Sequence, residues 1–213
     1  MATTYFYVLD TLADWEPGNV LAELHSGRFL KDPSLRHEIV LCGRTMDTIT
    51  TMGGLHLQPD MMVSDIHPGA GDLLILPGAD TWLHPAQAPV IEKVKEVLEG
   101  DAVVGAVCGA TMALANAGLL DSRPHTSNDL AVLKMFCPGY HGESFYRTEP
   151  AVTDGSLVTA SGLAPMDFAC HILRRLDVME RDVLDAWYSL NTTRQPQYFY
   201  ALMEAVKNQA RRG

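Results

Sequence analysis

Apolar residues recur along the chain with two different periods, and the alternation between those periods predicts the fold. Tyr5–Leu9 is a short aromatic and aliphatic run of the kind that forms a strand, and Asp14 with Pro17 behind it marks a helix start that continues through Leu24. His37–Cys42 reads as a second strand. Thr48–Val63 alternates about Gly53-Gly54, which predicts a hairpin or ribbon appended to the main sheet. Asp72–Leu76 (DLLIL) is apolar almost throughout, as a central parallel strand buried on both faces requires, and it stops at the turn Pro77-Gly78. Val90, Ile91, Val94, Val97 and Leu98 fall at helical spacing before Gly100. Ala102–Val107 is the next strand, and Gly109–Ala117 a helix closed by Gly118. Leu130–Phe136 gives a further helical turn or two, Val152–Ala160 a hairpin about Asp154-Gly155, and Met166–Leu176 a helix after Pro165. From Val183 to Ala210 the pattern is helical again, with a break at Gln195-Pro196.

Strands alternating with helices imply an α/β protein: a flavodoxin-like, doubly wound, mainly parallel sheet whose ligands sit at the carboxyl ends of the strands. Residues 1–213 read as one such domain, with 178–213 as a helical extension. A hydrophobic content of 47% is enough for a sizeable core. A net charge of −10 argues against nucleic-acid binding and leaves small molecules or proteins as partners. The four cysteines, at 42, 108, 137 and 170, form no CxxC pair and read as reduced thiols. The opening MATTYFYVLD has no basic region before its apolar stretch, and no apolar run approaches the ~18 residues of a membrane helix. These features predict a cytoplasmic protein with no membrane partner.

The stretch VVGAVCGATMALANAG, Val103–Gly118, sets Cys108 between a strand and a helix. Such a corner projects a side chain clear of the sheet and places it at a helix N-terminus, where free amides and the dipole favour a thiolate. The small residues Gly105, Ala106, Gly109 and Ala110 leave room for a sharp turn like a hydrolase nucleophile elbow, although the G-x-S-x-G form is absent. A buried cysteine is otherwise a small hydrophobe, and Cys42, Cys137 and Cys170 keep that reading. Gly78 and Ala79, just past the neighbouring strand, offer amides to an oxyanion jointly with Gly109, or form an ordinary strand-to-helix turn. Glu16 follows the first strand and is either an acid at the same sheet edge or a solvated first-turn carboxylate. His125, in RPHTSN, is a candidate base or, as is more common for a lone histidine, a plain core or surface residue. Asn128 either orients an imidazole or caps the helix at Leu130, and capping is the stronger reading. The histidines show no HExxH or tight ligand spacing, which predicts no metal site.

Taken together, YVLDTLADWE, DLLILPGA, AVVGAVCGATMALANAGLLDSRPHTSN and EPAVTDGSLVTASGLAPMDFA resemble the DJ-1/PfpI family of the class I glutamine amidotransferase-like superfamily, over roughly residues 5–176. The tail AWYSLNTTRQPQYFYALM resembles the extension of one subgroup. The resemblance implies that Cys108 is the reactive elbow cysteine, that Glu16 is the acid hydrogen-bonded to it, and that Gly78 and Ala79 form the oxyanion loop. Ala79 departs from the usual second glycine of that loop. Members with a Cys-His-acid arrangement often carry histidine directly after the cysteine, where this chain has Gly109, or about twenty residues later, where it has Asn128. His125 lies just upstream of that second place. The implied activities are hydrolysis of a small amide or isonitrile, conversion of reactive carbonyls, and redox sensing through oxidation of Cys108. The leading expectation is a cysteine-dependent hydrolase, amidase or hydratase acting on a small molecule without a cofactor, as a homodimer. The alternative is a redox or stress-response protein without such turnover, and an inert fold with a buried thiol stands behind both.

Overall fold

The structure is a computed structural model and describes residues 2–211. Its strands are β1 (Thr3–Val8), β2 (Glu38–Gly43), β3 (Ile49–Thr50), β4 (His56–Leu57), β5 (Met61–Met62), β6 (Leu73–Leu76), β7 (Val103–Val107), β8 (Ala151–Asp154) and β9 (Leu157–Ala160). Its helices are α1 (Gly18–Ser26), α2 (Ala88–Glu99), α3 (Gly109–Asn116), α4 (Leu130–Phe136), α5 (Pro165–Arg175), α6 (Arg181–Thr193) and α7 (Pro196–Gln209). Seven strands form one sheet in the order β5-β2-β1-β6-β7-β9-β8, parallel except for the final hairpin β8–β9. β6 and β7 are buried along their whole length, which is why their sequences are apolar without alternation.

The connection through α1 carries the chain from β1 outward to β2, and the connection through α2 carries it from β6 the other way to β7. Right-handed crossovers in opposite directions place the two helices on opposite faces. The strand order therefore reverses between β1 and β6, and the crevice beyond their carboxyl ends is where a ligand fits such a sheet.

Two expectations are corrected. The stretch 48–63 does turn about Gly53-Gly54, as the ribbon β3–β4, but Met61–Met62 leaves the ribbon and joins the main sheet parallel to β2. Asp60 makes that possible by bridging to Leu41 with both its backbone amide and its carboxylate. Asp14 does not start α1. Its carboxylate accepts hydrogen bonds from Thr51 Oγ1 at 2.6 Å and Gly53 N at 2.7 Å, tying the ribbon to the loop after β1.

The helical extension breaks where the sequence indicates, with Arg194 in the left-handed region and Pro196 opening α7. Within it α6 packs against α5 and α7 against α6. Trp187, fully buried, donates from its indole nitrogen to the buried Glu23 carboxylate at 2.9 Å, and Gln209 donates to the Leu30 carbonyl at 2.6 Å. Among the described residues, no helix is long and apolar enough to cross a membrane.

Candidate active site

Cys108 stands between β7 and α3 with φ 56° and ψ −122°. A side chain in that conformation costs on the order of 1–3 kcal/mol, so the surroundings must enforce it. They do so from both sides: the Cys108 amide donates to Ala160 O at 3.1 Å at the end of β9, and its carbonyl accepts from Thr111 Oγ1 at 2.6 Å in the first turn of α3. The thiol is half-buried, whereas Cys42, Cys137 and Cys170 are buried, so the strained position is also the most accessible of the four.

Glu16 reaches the same point from the loop after β1 and has no exposed surface. Its Oε2 accepts the Gly78 amide at 2.5 Å. Its Oε1 has no hydrogen-bond partner among the described residues, and it borders the same small space beside Gly162 as the Cys108 sulfur. Two glycines make the approach possible. A Cβ on Gly78 would stand 2.7 Å from Cys108 Cβ and from both Glu16 oxygens. A Cβ on Gly162 would stand 2.7 Å from Glu16 Oε1 and 3.0 Å from Cys108 Sγ.

Burial pushes the Glu16 carboxyl above its ordinary range, opposed by its bonds to Gly78 and Cys108. Burial also pushes the Cys108 thiol up, and the Glu16 charge adds to that, while Asn128 and the Gly109 amide oppose it. The expectation of a thiolate primed by the corner is therefore corrected: desolvation outweighs the helix N-terminus, and near neutrality the pair carries at most one negative charge.

Asn128 meets the thiol directly, its Nδ2 donating to Sγ at 3.1 Å. The amide is held in place through Oδ1, which accepts from Gly162 N at 2.8 Å and Ser161 Oγ at 3.3 Å. The capping reading of Asn128 is corrected, because Asp129 caps α4 by accepting from Val132 N at 3.0 Å.

His125 is not brought to the thiol. It is fully buried, its Nδ1 donates to Arg123 O at 2.8 Å, and its Nε2 meets Tyr140 Oη at 2.7 Å. Tyr140 and Tyr146 also pack edge-on against the ring. Both nitrogens are thus committed, and burial depresses the imidazole's basicity. His125→Phe is expected to leave the pH profile of Cys108 alkylation where it is while lowering the urea midpoint of unfolding, since Tyr140 loses its partner. A displaced alkylation profile would put His125 back in the site.

The oxyanion loop is also rearranged. The Gly78 amide is engaged by Glu16, so it is not available to a substrate oxygen. Ala79 N donates to no acceptor among the described residues, and its loop lies against α3, where a Cβ on Gly109 would stand 2.6 Å from Ala79 O. Of the three expected donors, the Ala79 and Gly109 amides are the two that Glu16 does not take up, and only Gly109 is seen to act on the thiol.

Ser161, Gly162 and Trp15 are site residues that sequence reasoning missed. Trp15 donates from Nε1 to Gly162 O at 3.1 Å and fixes that peptide between itself and Asn128. The available signal was positional: Ser161-Gly162 follows the end of β9 as Pro77-Gly78 follows the end of β6.

A strained cysteine past a central strand of a parallel sheet, with a buried acid against its sulfur, defines an α/β protein built around an elbow thiol. The chain belongs to the DJ-1/PfpI family, which it matches over residues 2–175. It is 46% identical to the uncharacterized protease YoaZ of Bacillus subtilis (strain 168) over 202 residues, 95% of this chain and 96% of that protein, so the likeness takes in most of the helical extension. It is 24% identical over 146 residues to the glutathione-independent glyoxalase DJR-1.2 of Caenorhabditis elegans, covering 68% of this chain and 76% of that one. Among solved structures, the thiJ/pfpI family protein of Bacillus anthracis superposes with a TM-score of 0.90 at 46% identity, covering 95% of this chain and 96% of that one.

Proposed function

We propose that the protein is an enzyme acting on a small carbonyl compound or amide, with Cys108 as the nucleophile. The observation that carries this is the Glu16 carboxyl, sealed from solvent, left with one oxygen unpartnered, and brought up to Cys108 across the space that Gly78 and Gly162 leave open. A carboxylate so placed takes the thiol proton as sulfur adds to a carbonyl carbon. The S–C bond forms, the π electron pair moves to oxygen beside the Ala79 and Gly109 amides, and Glu16 returns the proton to that oxygen or to the leaving group. With an amide the amine leaves carrying that proton, and water hydrolyses the thioester left on sulfur. With an α-ketoaldehyde the C1 proton of the thiohemiacetal must first pass to C2, giving a thioester that water hydrolyses to a 2-hydroxy acid, so the cycle is a hydrolase, amidase or hydratase reaction. Asn128 takes the part of a hydrogen-bond donor that steadies sulfur as it loses its proton.

The test is product formation from methylglyoxal and a panel of simple amides, followed by NMR, for the parent, Cys108→Ala and Cys42→Ala. Turnover is expected to vanish in Cys108→Ala and to persist in Cys42→Ala, and equal rates in the two variants refute the proposal. The half-exposure of Cys108 among three buried thiols favours one other reading, selective oxidation. Under mild peroxide that reading requires a gain of two oxygens on the Cys108 peptide before any other.

A further inference from the structure

A second cleft, of about 240 Å³, opens beside Tyr7. The Trp82 indole packs on Tyr7 in the cleft wall, with ring centroids 5.4 Å apart, and its Cδ1 lies 3.2 Å from where a Cβ on Gly109 would stand. Neither Cys108, Glu16 nor Asn128 lines it. Its walls are the end of β1 and the loops after β2 and β6, so it flanks the point where the strand order reverses, the place where open α/β sheets take ligands.

Part of its lining is unpaired within the protein. Gln87, only 7% exposed, accepts the Tyr7 hydroxyl on Oε1 at 2.6 Å, which fixes the carboxamide; its Nε2 donates to no acceptor among the described residues. Arg44 lines the same cleft and forms no ion pair among the described residues, although Asp10 and Asp47 line it too. Those two carboxylates are held by Thr50 N and Thr45 Oγ1, each at 2.9 Å, rather than by the guanidinium.

We propose that this cleft binds a small zwitterion, an α-amino acid. Its carboxylate takes the Arg44 guanidinium and the Gln87 amide N–H, and its ammonium takes Asp10 and Asp47. A simple anion would face two carboxylates, and a simple cation would face the Arg44 guanidinium, so neither fits the whole lining. Arg44, Asp10 and Asp47 are exposed, so binding there weakens as salt rises.

The experiment is a titration of ¹⁵N-labelled protein at low salt with L-alanine, propionate and ethylamine, following the Gln87 side-chain amide signals by NMR. L-alanine is expected to shift them saturably, propionate and ethylamine to bind about tenfold more weakly, and Arg44→Gln to weaken L-alanine by a similar factor. Cys108→Ala is expected to bind L-alanine as the parent does, which keeps this result separate from the catalytic proposal. The absence of a saturable shift, propionate or ethylamine binding as well as L-alanine, an unaffected Arg44→Gln, or loss of binding in Cys108→Ala each overturns it.

Discussion

Replacing Glu16 with Gln moves two properties of Cys108 in opposite directions: the thiol alkylates faster near neutral pH, while turnover falls by about 10² to 10⁴. Burial and the Glu16 charge both hold the thiol up, so removing the charge removes one of the two, and the Asn128 and Gly109 donors remain. The inflection in the rate of iodoacetamide labelling against pH therefore drops toward the ordinary thiol value of about 8.5. Turnover falls because an amide cannot carry the proton from sulfur to the substrate. Stability follows with a definite sign. The carboxyl's folded pKa lies above its unfolded value of about 4.3, so its contribution to stability is full below that value and is lost as pH rises through the raised one. Glu16→Gln lacks this dependence, so its urea midpoint exceeds the parent's at neutral pH and the gap closes in acid. Slower labelling in the variant would mean that Glu16 acts as a donor supporting the thiolate, and the account of the pair given above would fail.

What the sequence reveals of this site divides along physical lines. Cys108 is legible because it directly follows a fully buried strand, and a parallel sheet delivers such a position to one edge. Glu16 lies well beyond Val8, the end of β1, and is singled out by the family resemblance. β6 and β7 are legible because burial on both faces removes every polar residue from them. Met61–Met62 is not, since a two-residue edge strand has no period to read, and its place depends on Asp60 bridging to Leu41. The roles of His125 and Asn128 are hidden for another reason. Nearness in sequence says nothing of where a loop side chain points, and the histidine goes to Tyr140 while the asparagine goes to sulfur because of contacts across the fold. The raised thiol pKa is equally invisible, because the desolvation that outweighs the helix N-terminus comes from elements distant in the chain.

Gly162→Ala is expected to disable the site more completely than loss of any one of its hydrogen bonds. The added methyl would stand 2.7 Å from Glu16 Oε1 and 2.9 Å from Cys108 Cβ, closer than real Cβ contacts come, and 3.0 Å from Sγ, tighter than most. None of the parties has an inexpensive retreat. The carboxyl is held by the Gly78 amide, and the thiol by an elbow already strained at φ 56°. The Gly162 peptide is fixed by Asn128 on its N–H and by Trp15 on its carbonyl, so moving it releases the donor on sulfur or the indole. Overpacking of this kind costs about 1–3 kcal/mol, and a displacement of reacting groups by ~1 Å costs about 10² in rate. Gly18→Ala is the control, because nothing lies within 4 Å of its Cβ position and it opens α1. That variant is expected to match or exceed the parent in urea stability and to keep full turnover. If Gly162→Ala also matched the parent in both, the close approach of acid and thiol would be incidental to function, and the glycines at positions 78 and 162 would have to be explained by the backbone alone.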